Sequence, residues 1–294
     1  MIPILFEIGP IKIYSYGLML GIAFLSGNYI LAGELKKRSI TPELASTITL
    51  LSVVFGLLGA KLLHLIENWN EFLADPLTAF SPGGLTWYGG FVLGMGVIIW
   101  YVRKKHIPYR RFLDALGIAL ILAYGIGRVG CHLAGDGDYG SPTTLPWGVL
   151  YAKGTAKPTT MLSEYFQHNP EEGARWHYDS LRVIPAGRDA LGHSYNKFDE
   201  TTPLHPTPLY ELLLGIIGFM VLRKVAPRFT VDGQLFMLYL MLAALFRFSV
   251  EFLRLQPKIF FGLSEAQLIA TALFLVGAVG IGVMKKKNPT LSGA

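Results

Sequence analysis

Long apolar runs separated by shorter polar segments dominate the chain. Seven of these runs come close to the roughly 20 mostly apolar residues that a membrane-spanning helix needs. They predict helices near residues 14–32, 43–66, 84–102, 112–134, 206–224, 232–255 and 264–284. The fold class that follows is an all-α polytopic membrane protein with seven transmembrane helices, forming a single membrane domain over residues 1–294.

One long polar stretch interrupts the alternation of apolar runs and short polar segments. Residues 135–204 are polar, rich in glycine and proline, and show no uniform helical period. Such composition is typical of irregular structure outside the bilayer. We therefore expect a small extracytoplasmic cap inserted between the fourth and fifth helices.

The basic residues of the loops alternate along the chain. They follow the first, third, fifth and seventh predicted helices, as in Lys36–Arg38 and Arg103–Lys105. The connection 67–83 has acidic residues and no Lys or Arg. Because cytoplasmic loops carry the excess of Lys and Arg, the N-terminus is expected outside and the C-terminus in the cytoplasm.

Composition agrees with a membrane protein and indicates which class of binding partner to expect. Only 16% of the residues are charged and the mean hydropathy is +0.43, whereas soluble domains have about 25% charged residues. The net charge of +6 is spread over short clusters between apolar runs. This arrangement suits anionic lipid headgroups, so membrane lipid is an expected partner and nucleic acid is not. The single cysteine excludes an intrachain disulfide.

Ionisable and phenolic side chains converge near one membrane surface. With 1.5 Å of rise per helical residue, the charges of the second, fourth and sixth helices lie about 22–27 Å above the cytoplasmic ends. The odd-numbered helices begin at the outer surface and bring tyrosines to the same level. The residues in this layer are Tyr16, Lys61, Tyr88, Arg128, Tyr210 and Arg247. Charges inside spans usually mark function, so we expect a site at the outer leaflet.

The sixth helix carries Arg247, Glu251 and Arg254 at spacing i, i+4, i+7, which places them on one face. Glu251 is expected to neutralise both arginines in part. No carboxylate within the predicted spans is an evident partner for Arg128 or Lys61. We therefore expect an excess of positive charge that can bind a phosphate. The alternative is that these groups only form ion pairs that lock the helices together.

The end of the fourth helix is rich in glycine, from Gly127 to Gly140. Glycines let a backbone approach a ligand closely, so Arg128 among them suits a lipid headgroup. Cys131 and His132 are adjacent, but neighbours on a helix point away from each other, which disfavours a nucleophilic pair. No spacing predicts a metal site, and no cofactor is expected.

Five segments carry a resemblance to a known family. They are Tyr16–Met19, Gly83–Gly90, Gly127–Gly140, His205–Glu211 and Phe246–Arg254. In order and spacing they resemble the bacterial prolipoprotein diacylglyceryl transferases over essentially the whole chain. The resemblance implies phosphatidylglycerol as donor and the lipobox cysteine of a prolipoprotein signal peptide as acceptor. It also implies glycerol-1-phosphate as leaving product and the bacterial cytoplasmic (inner) membrane as location.

The resemblance also implies residue roles. Arg128 matches the arginine assigned to phosphatidylglycerol, and Arg247 matches the second essential arginine. Tyr16 and Gly140 fall on motif positions. The expected catalytic residues are Arg128, Arg247, Tyr88 and His205, with Tyr88 or His205 assisting proton removal. The expected phosphatidylglycerol-binding residues are Arg128, Tyr16, Gly140, Lys61, Glu251 and Arg254.

The chain departs from the family pattern at several positions. Tyr88 replaces a histidine, Cys131 an asparagine, Pro208 a glutamine and Ala243 a tyrosine, and Lys61 stands where the second helix has arginine. These changes leave the identity of the general base open. Two other functions remain as alternatives: a lipid or anion transporter or flippase, and a divergent lipid-binding member without transferase activity.

Overall fold

The computed structural model describes residues 1–9, 11–77, 84–158, 161–162, 183–188, 194–198 and 203–287. The predicted cap at 135–204 is therefore described in part, and its remaining residues lie outside the described ranges. Gly83 of the third-helix motif lies outside them as well.

Each predicted span coincides with a long helix. Along the chain the helices are α1 (Ser15–Lys37), α2 (Leu44–Glu67), the short α3 (Trp69–Ala74), α4 (Trp87–Lys104), α5 (Tyr109–Ala134), α6 (Thr207–Val225), α7 (Gln234–Glu251) and α8 (Glu265–Lys287). A 3-10 turn, Ala226–Arg228, follows α6. Lys36 and Lys37 end α1, and Arg103 and Lys104 end α4, where a cation meets the negative end of the helix dipole.

Five of these helices are long and apolar enough to cross a membrane: α1, α2, α5, α7 and α8. Helix α6 is less apolar because it contains Glu211, Arg223 and Lys224. Helix α4 has 18 residues and ends in Arg103 and Lys104. The expectation of a helical, polytopic membrane protein is confirmed, while the count of seven spans stays a prediction.

Short antiparallel hairpins join or precede the helices, which the all-α expectation did not include. Strands β1 (Ile4–Ile8) and β2 (Ile11–Tyr14) pair directly before α1. Strands β3 (Val183–Arg188) and β4 (Ser194–Phe198) form a second pair. Strands β5 (Lys258–Phe260) and β6 (Leu263–Ser264) form a third pair between α7 and α8. These connections satisfy backbone hydrogen bonds that a loop would leave to solvent.

The chain divides into two compact units, residues 1–27 with 117–294, and residues 28–116. In the first unit, α7 and α8 pack closely because Gly277 has no side chain: a Cβ there would lie 2.6 Å from Met241 Cγ. In the second unit, a Cβ on Gly90 of α4 would lie 2.7 Å from the carbonyl oxygen of Gly56 in α2. The Gly90-x-x-x-Gly94 motif thus serves close helix packing. The single membrane domain stays a prediction.

Candidate active site

Three arginines and three carboxylates meet in the first unit, at the end of α5 and the end of α7. We call this set the arginine cluster; its members are Arg128, Arg247, Arg254, Asp138, Glu211 and Glu251. The arginines come from α5 and from the α7 segment, and the carboxylates from the loop after α5, from α6 and from α7. Helix spacing and one loop therefore build the cluster together.

Arg128 has carboxylate partners, so the expectation that it lacks one was wrong. Its Nε lies 3.1 Å from Glu211 Oε2, and its Nη1 pairs with Asp138 Oδ2. Glu211 reaches it from α6, and Asp138 lies on the loop that turns back after α5. Counting carboxylates along the spans could not reveal the second partner, because a loop has no helical period.

Arg247 and Glu251 share one face of α7 as their spacing predicted, whereas Arg254 lies just beyond the end of the helix. Arg247 Nη2 lies 2.9 Å from Glu251 Oε2, and Arg254 Nε lies 3.8 Å from the same oxygen. Glu251 also accepts a hydrogen bond of 2.8 Å from Ser264, the last residue of β6. Glu251 thus joins both arginines and is itself held in place.

The cluster balances its charges, which corrects the expected positive excess among these groups. Its three arginines oppose three carboxylates. Glu211, Glu251 and Arg254 are buried, at 4%, 5% and 6% exposure. Burying charges is expensive unless they are paired, which explains the balance. The side chains of Arg128 and Arg247 remain 19% and 27% exposed, so a ligand can reach them.

The pKa values of Asp138 and Asp136 are shifted in opposite directions, although the two residues lie in the same loop. Burial favours the neutral form of Asp138, but the charges of Arg128 and Arg254 outweigh it and hold the pKa of Asp138 below its ordinary value. Burial, followed by the charge of Asp138, raises the pKa of Asp136. Asp138 is therefore the permanent anion of the loop.

Cys131 Sγ and carboxylate oxygens of Asp136 and Asp138 lie within 4.8 Å of one another, a spacing that could suit a metal ion. A cation there would have to displace two guanidinium groups from Asp138. Asp138 therefore serves the arginines. Cys131 faces Arg128 Nη1 at 3.6 Å, while His132 Nδ1 faces the hydroxyl of Tyr151 at 2.9 Å, so the adjacent pair has separate partners.

Gly140 is the point where three segments of the site meet. It bridges to Arg254, and its N–H donates to the carbonyl of His205 over 2.8 Å. A Cβ on Gly140 would overlap the carbonyl oxygen of Leu253 and lie 2.9 Å from His205 Cβ. Only glycine lets these backbones approach so closely, which accounts for the residue at this position.

His205 lies half-buried beside this junction. Its Nδ1 lies 3.2 Å from the hydroxyl of Tyr210, which in turn accepts a hydrogen bond of 2.8 Å from Trp147 Nε1. The Tyr210 oxygen has a second lone pair for Nδ1–H and a proton for a bare Nδ1, so the contact forms in either tautomer and holds the imidazole in one orientation. Burial lowers the pKa of His205, so the ring is neutral near pH 7.

Tyr16 belongs to the same unit as the arginine cluster. It opens α1 and packs on α5: a Cβ on Gly130 would lie 3.3 Å from both Cα and Cδ2 of Tyr16. Gly130 is two residues beyond Arg128 in the chain. The first unit therefore contains Tyr16, Arg128, Gly140, His205, Arg247, Glu251 and Arg254.

Lys61 and Tyr88 belong to the second unit. Lys61 lies on α2, and Tyr88, near the start of α4, lines an apolar groove of about 540 Å³ together with Gly59 and Trp100. That Lys61 and Tyr88 join the arginine cluster stays a prediction.

Sequence reasoning missed two members of the site. Asp138 lies within the glycine-rich segment, but nothing in its spacing singled it out. Tyr124 donates to Glu211 Oε1 at 2.6 Å and accepts from Arg128 Nη2 at 2.8 Å. Its position four residues before Arg128 on one helix was the signal that could have found it.

The family model of the prolipoprotein diacylglyceryl transferases matches residues 3–283. The chain belongs to this family. The resemblance that its five segments predicted is thereby confirmed, and family membership extends across both units and every long helix.

Named relatives agree with the family. Three of them, each named phosphatidylglycerol–prolipoprotein diacylglyceryl transferase, come from Mycobacteroides abscessus, Clostridium tetani and a Nostoc species. The Mycobacteroides protein is 29% identical over 96% of this chain and 76% of its own length. The Clostridium protein is 27% identical over 94% and 92%, and the Nostoc protein 29% identical over 98% and 92%.

Proposed function

We propose that this protein transfers the sn-1,2-diacylglyceryl group of phosphatidylglycerol to the lipobox cysteine of a prolipoprotein, the first step of lipoprotein maturation. The observation that carries the proposal is the arginine cluster, reachable at Arg128 and Arg247, in a chain of this family. The names of the relatives describe the same reaction.

Asp138 pairs with two arginines in the way that a phosphate would. Its two oxygens pair with Arg128 Nη1 and with Arg254 Nη2. Arginine's planar fork suits a carboxylate and a phosphate alike. Asp138 is the most exposed carboxylate of the three, at 25% of its side chain. The donor phosphate therefore binds by taking over contacts of Asp138 while Glu211 and Glu251 stay in place.

The reaction is a displacement at the glyceryl carbon that bears the phosphate. The cysteine sulfur forms the new C–S bond, and the bond from that carbon to the phosphate oxygen breaks. The thiol proton passes to a base and finally to the departing glycerol-1-phosphate, so atoms and charges balance. Arg128 and Arg247 stabilise the charge that grows on the leaving phosphate.

His205 is our candidate for the base. Its lowered pKa keeps the ring neutral and ready to accept a proton. In the tautomer whose Nδ1–H donates to the Tyr210 oxygen, the lone pair of Nε2 takes that proton. Tyr88 is the other candidate. The thiolate is the reactive form of cysteine, so removing its proton is part of the chemistry.

We further propose seven spans, with α4 and α6 joining the five more apolar helices, in the bacterial cytoplasmic membrane. The basic ends of α1, α4 and α6 support a cytoplasmic position for those ends. The arginine cluster then lies at the outer surface, beneath a cap formed by residues 135–204. Both substrates have lipid-embedded parts and reach it by lateral diffusion.

The proposal is tested with purified protein, phosphatidylglycerol labelled in its acyl chains, and a lipobox peptide. Label must become attached to the peptide cysteine, and a matched peptide with serine at that position must stay unlabelled. Movement of labelled lipid between leaflets without attachment would favour a flippase. Binding of lipid with neither result would favour an inactive lipid-binding member.

A further inference from the structure

The hydroxyl of Tyr124 is the feature that the proposed chemistry leaves unexplained. Tyr124 lies on α5, one helical turn before Arg128, and is 46% exposed. Its ring lies 4.8 Å from the guanidinium carbon of Arg128. The same residue therefore touches Arg128 with both its ring and its hydroxyl, at the edge of the cluster that a substrate can reach.

The direction of each hydrogen bond at this hydroxyl follows from chemistry. A guanidinium can only donate, so the Tyr124 oxygen accepts from Arg128 Nη2 at 2.8 Å. The single hydroxyl proton is then available to Glu211 Oε1, 2.6 Å away. Glu211 Oε2 in turn lies 3.1 Å from Arg128 Nε. Tyr124, Glu211 and Arg128 thus close a ring of two hydrogen bonds and one ion pair.

This ring contacts Arg128 at Nε and Nη2 and leaves its third nitrogen, Nη1, to other partners. Glu211 holds Nε and Tyr124 holds Nη2, whereas the Nη1 edge faces Asp138 and Cys131. Glu211 is 3% exposed at its side chain and Asp138 is 25% exposed. The Nη1 edge is therefore the one whose partner can be exchanged, and the other two edges can remain fixed during the exchange.

We propose that Tyr124 is a positioning residue for Arg128, holding its guanidinium while the donor phosphate replaces Asp138. The inference rests on the proposed transferase function. Among the residues that the structure describes, Tyr124 supplies the hydroxyl that contacts both Arg128 and Glu211. Without it, the guanidinium can rotate about its side chain and meets the leaving phosphate in a poorer geometry.

The test compares Tyr124→Phe and Tyr124→Leu with wild type in the transfer assay. Tyr124→Phe keeps the ring on Arg128 and removes the hydroxyl, and a hydrogen bond to a charged group of this kind is worth about a 10- to 100-fold change. We expect kcat per folded enzyme to fall by that factor in Tyr124→Phe and further in Tyr124→Leu. The matched control is Tyr239→Phe, which removes a hydroxyl from a tyrosine of α7 that packs on Gly117.

A double-mutant cycle separates positioning from a general loss of structure. Under single-turnover conditions, Tyr124→Phe should change the rate by less than about twofold when Arg128 is already lysine, because its target is gone. A purely structural role would lower both backgrounds equally. If Arg128→Lys has no measurable rate, the comparison with Tyr239→Phe decides.

Three results overturn the inference: near wild-type kcat in Tyr124→Phe, an equal fall in Tyr239→Phe, or an equal effect of Tyr124→Phe in the wild-type and Arg128→Lys backgrounds. In each case wild-type transfer shows that the proposed function stands and only the role of Tyr124 is wrong. Absence of transfer by wild-type protein would instead refute the proposed function itself.

Discussion

At the scale of single residues, Arg128 is held by several groups of the site. It reaches Glu211, Asp138 and Tyr124 through three different nitrogens. An arginine held in this way presents a fixed fork to an anion, which a lysine cannot reproduce with one ammonium group. We therefore expect transfer to depend on the shape of this side chain as well as on its charge.

We expect Arg128→Ala to lower transfer by at least about 10²-fold, the usual effect of losing a stabiliser of transition-state charge. Arg128→Lys should be nearly as poor. The measurement is the initial transfer rate per folded protein, with folding checked by thermal unfolding in detergent. Near wild-type transfer by either folded variant would refute the role given to Arg128.

His205 predicts a pH dependence whose sign follows from its environment. Burial lowers its pKa, so the basic form is present near pH 7 and is lost as pH falls through that lowered value. Transfer should therefore be level near neutrality and fall on acidification. His205→Ala should lower the rate by about 10²-fold and remove that acid limb.

Two controls accompany the pH profile. Asp136 has a raised pKa, so Asp136→Asn is the first control and should keep the acid limb if His205 is the base. Tyr88→Phe tests the other candidate. An acid limb unchanged in His205→Ala would exclude His205 as the titrating base.

At the scale of elements, Gly140 determines how three segments come together. We expect Gly140→Ala to separate the α5 loop from Arg254 and His205, because a methyl group would overlap the Leu253 carbonyl. Misplacing catalytic groups by about 1 Å can cost about 10²-fold in rate. Gly21→Ala is the matched control, since a Cβ at Gly21 of α1 meets nothing within 4 Å.

The readout is the transfer rate together with the amount of folded protein in the membrane. Gly140→Ala should lose activity, and Gly21→Ala should keep it. Equal activity in the two variants would show that the Gly140 junction does not position the site.

Particular elements show what the sequence could and could not predict. Apolar runs of about 20 residues revealed all seven long helices, because bilayer thickness imposes that length. Helix spacing also predicted the pairing of Glu251 with Arg247 and Arg254. Helix spacing could not predict the pairing of Arg128 with Asp138 and Glu211, because partners from a loop and from another helix depend on tertiary packing.

At the scale of the whole molecule, the proposed orientation assigns the site to the outer membrane face. With Cys131→Ser as a cysteine-free background, single cysteines can be placed at Leu85, Thr144 and Lys105, which are all exposed. An impermeant thiol reagent added outside intact cells should label the first two. The third should react only after the membrane is permeabilised. Labelling in the opposite sense would overturn the orientation and the outer-leaflet site.

The central claim is a displacement that divides phosphatidylglycerol between two products. The most direct measurement uses a donor carrying one isotope in its acyl chains and another in its headgroup glycerol, with a lipobox peptide as acceptor. The account predicts equal amounts of acyl label on the peptide cysteine and of headgroup label in free glycerol-1-phosphate, with both lost in Arg128→Ala. Headgroup label that stays with the acyl chains, or is released without any acyl label on the peptide, would contradict it.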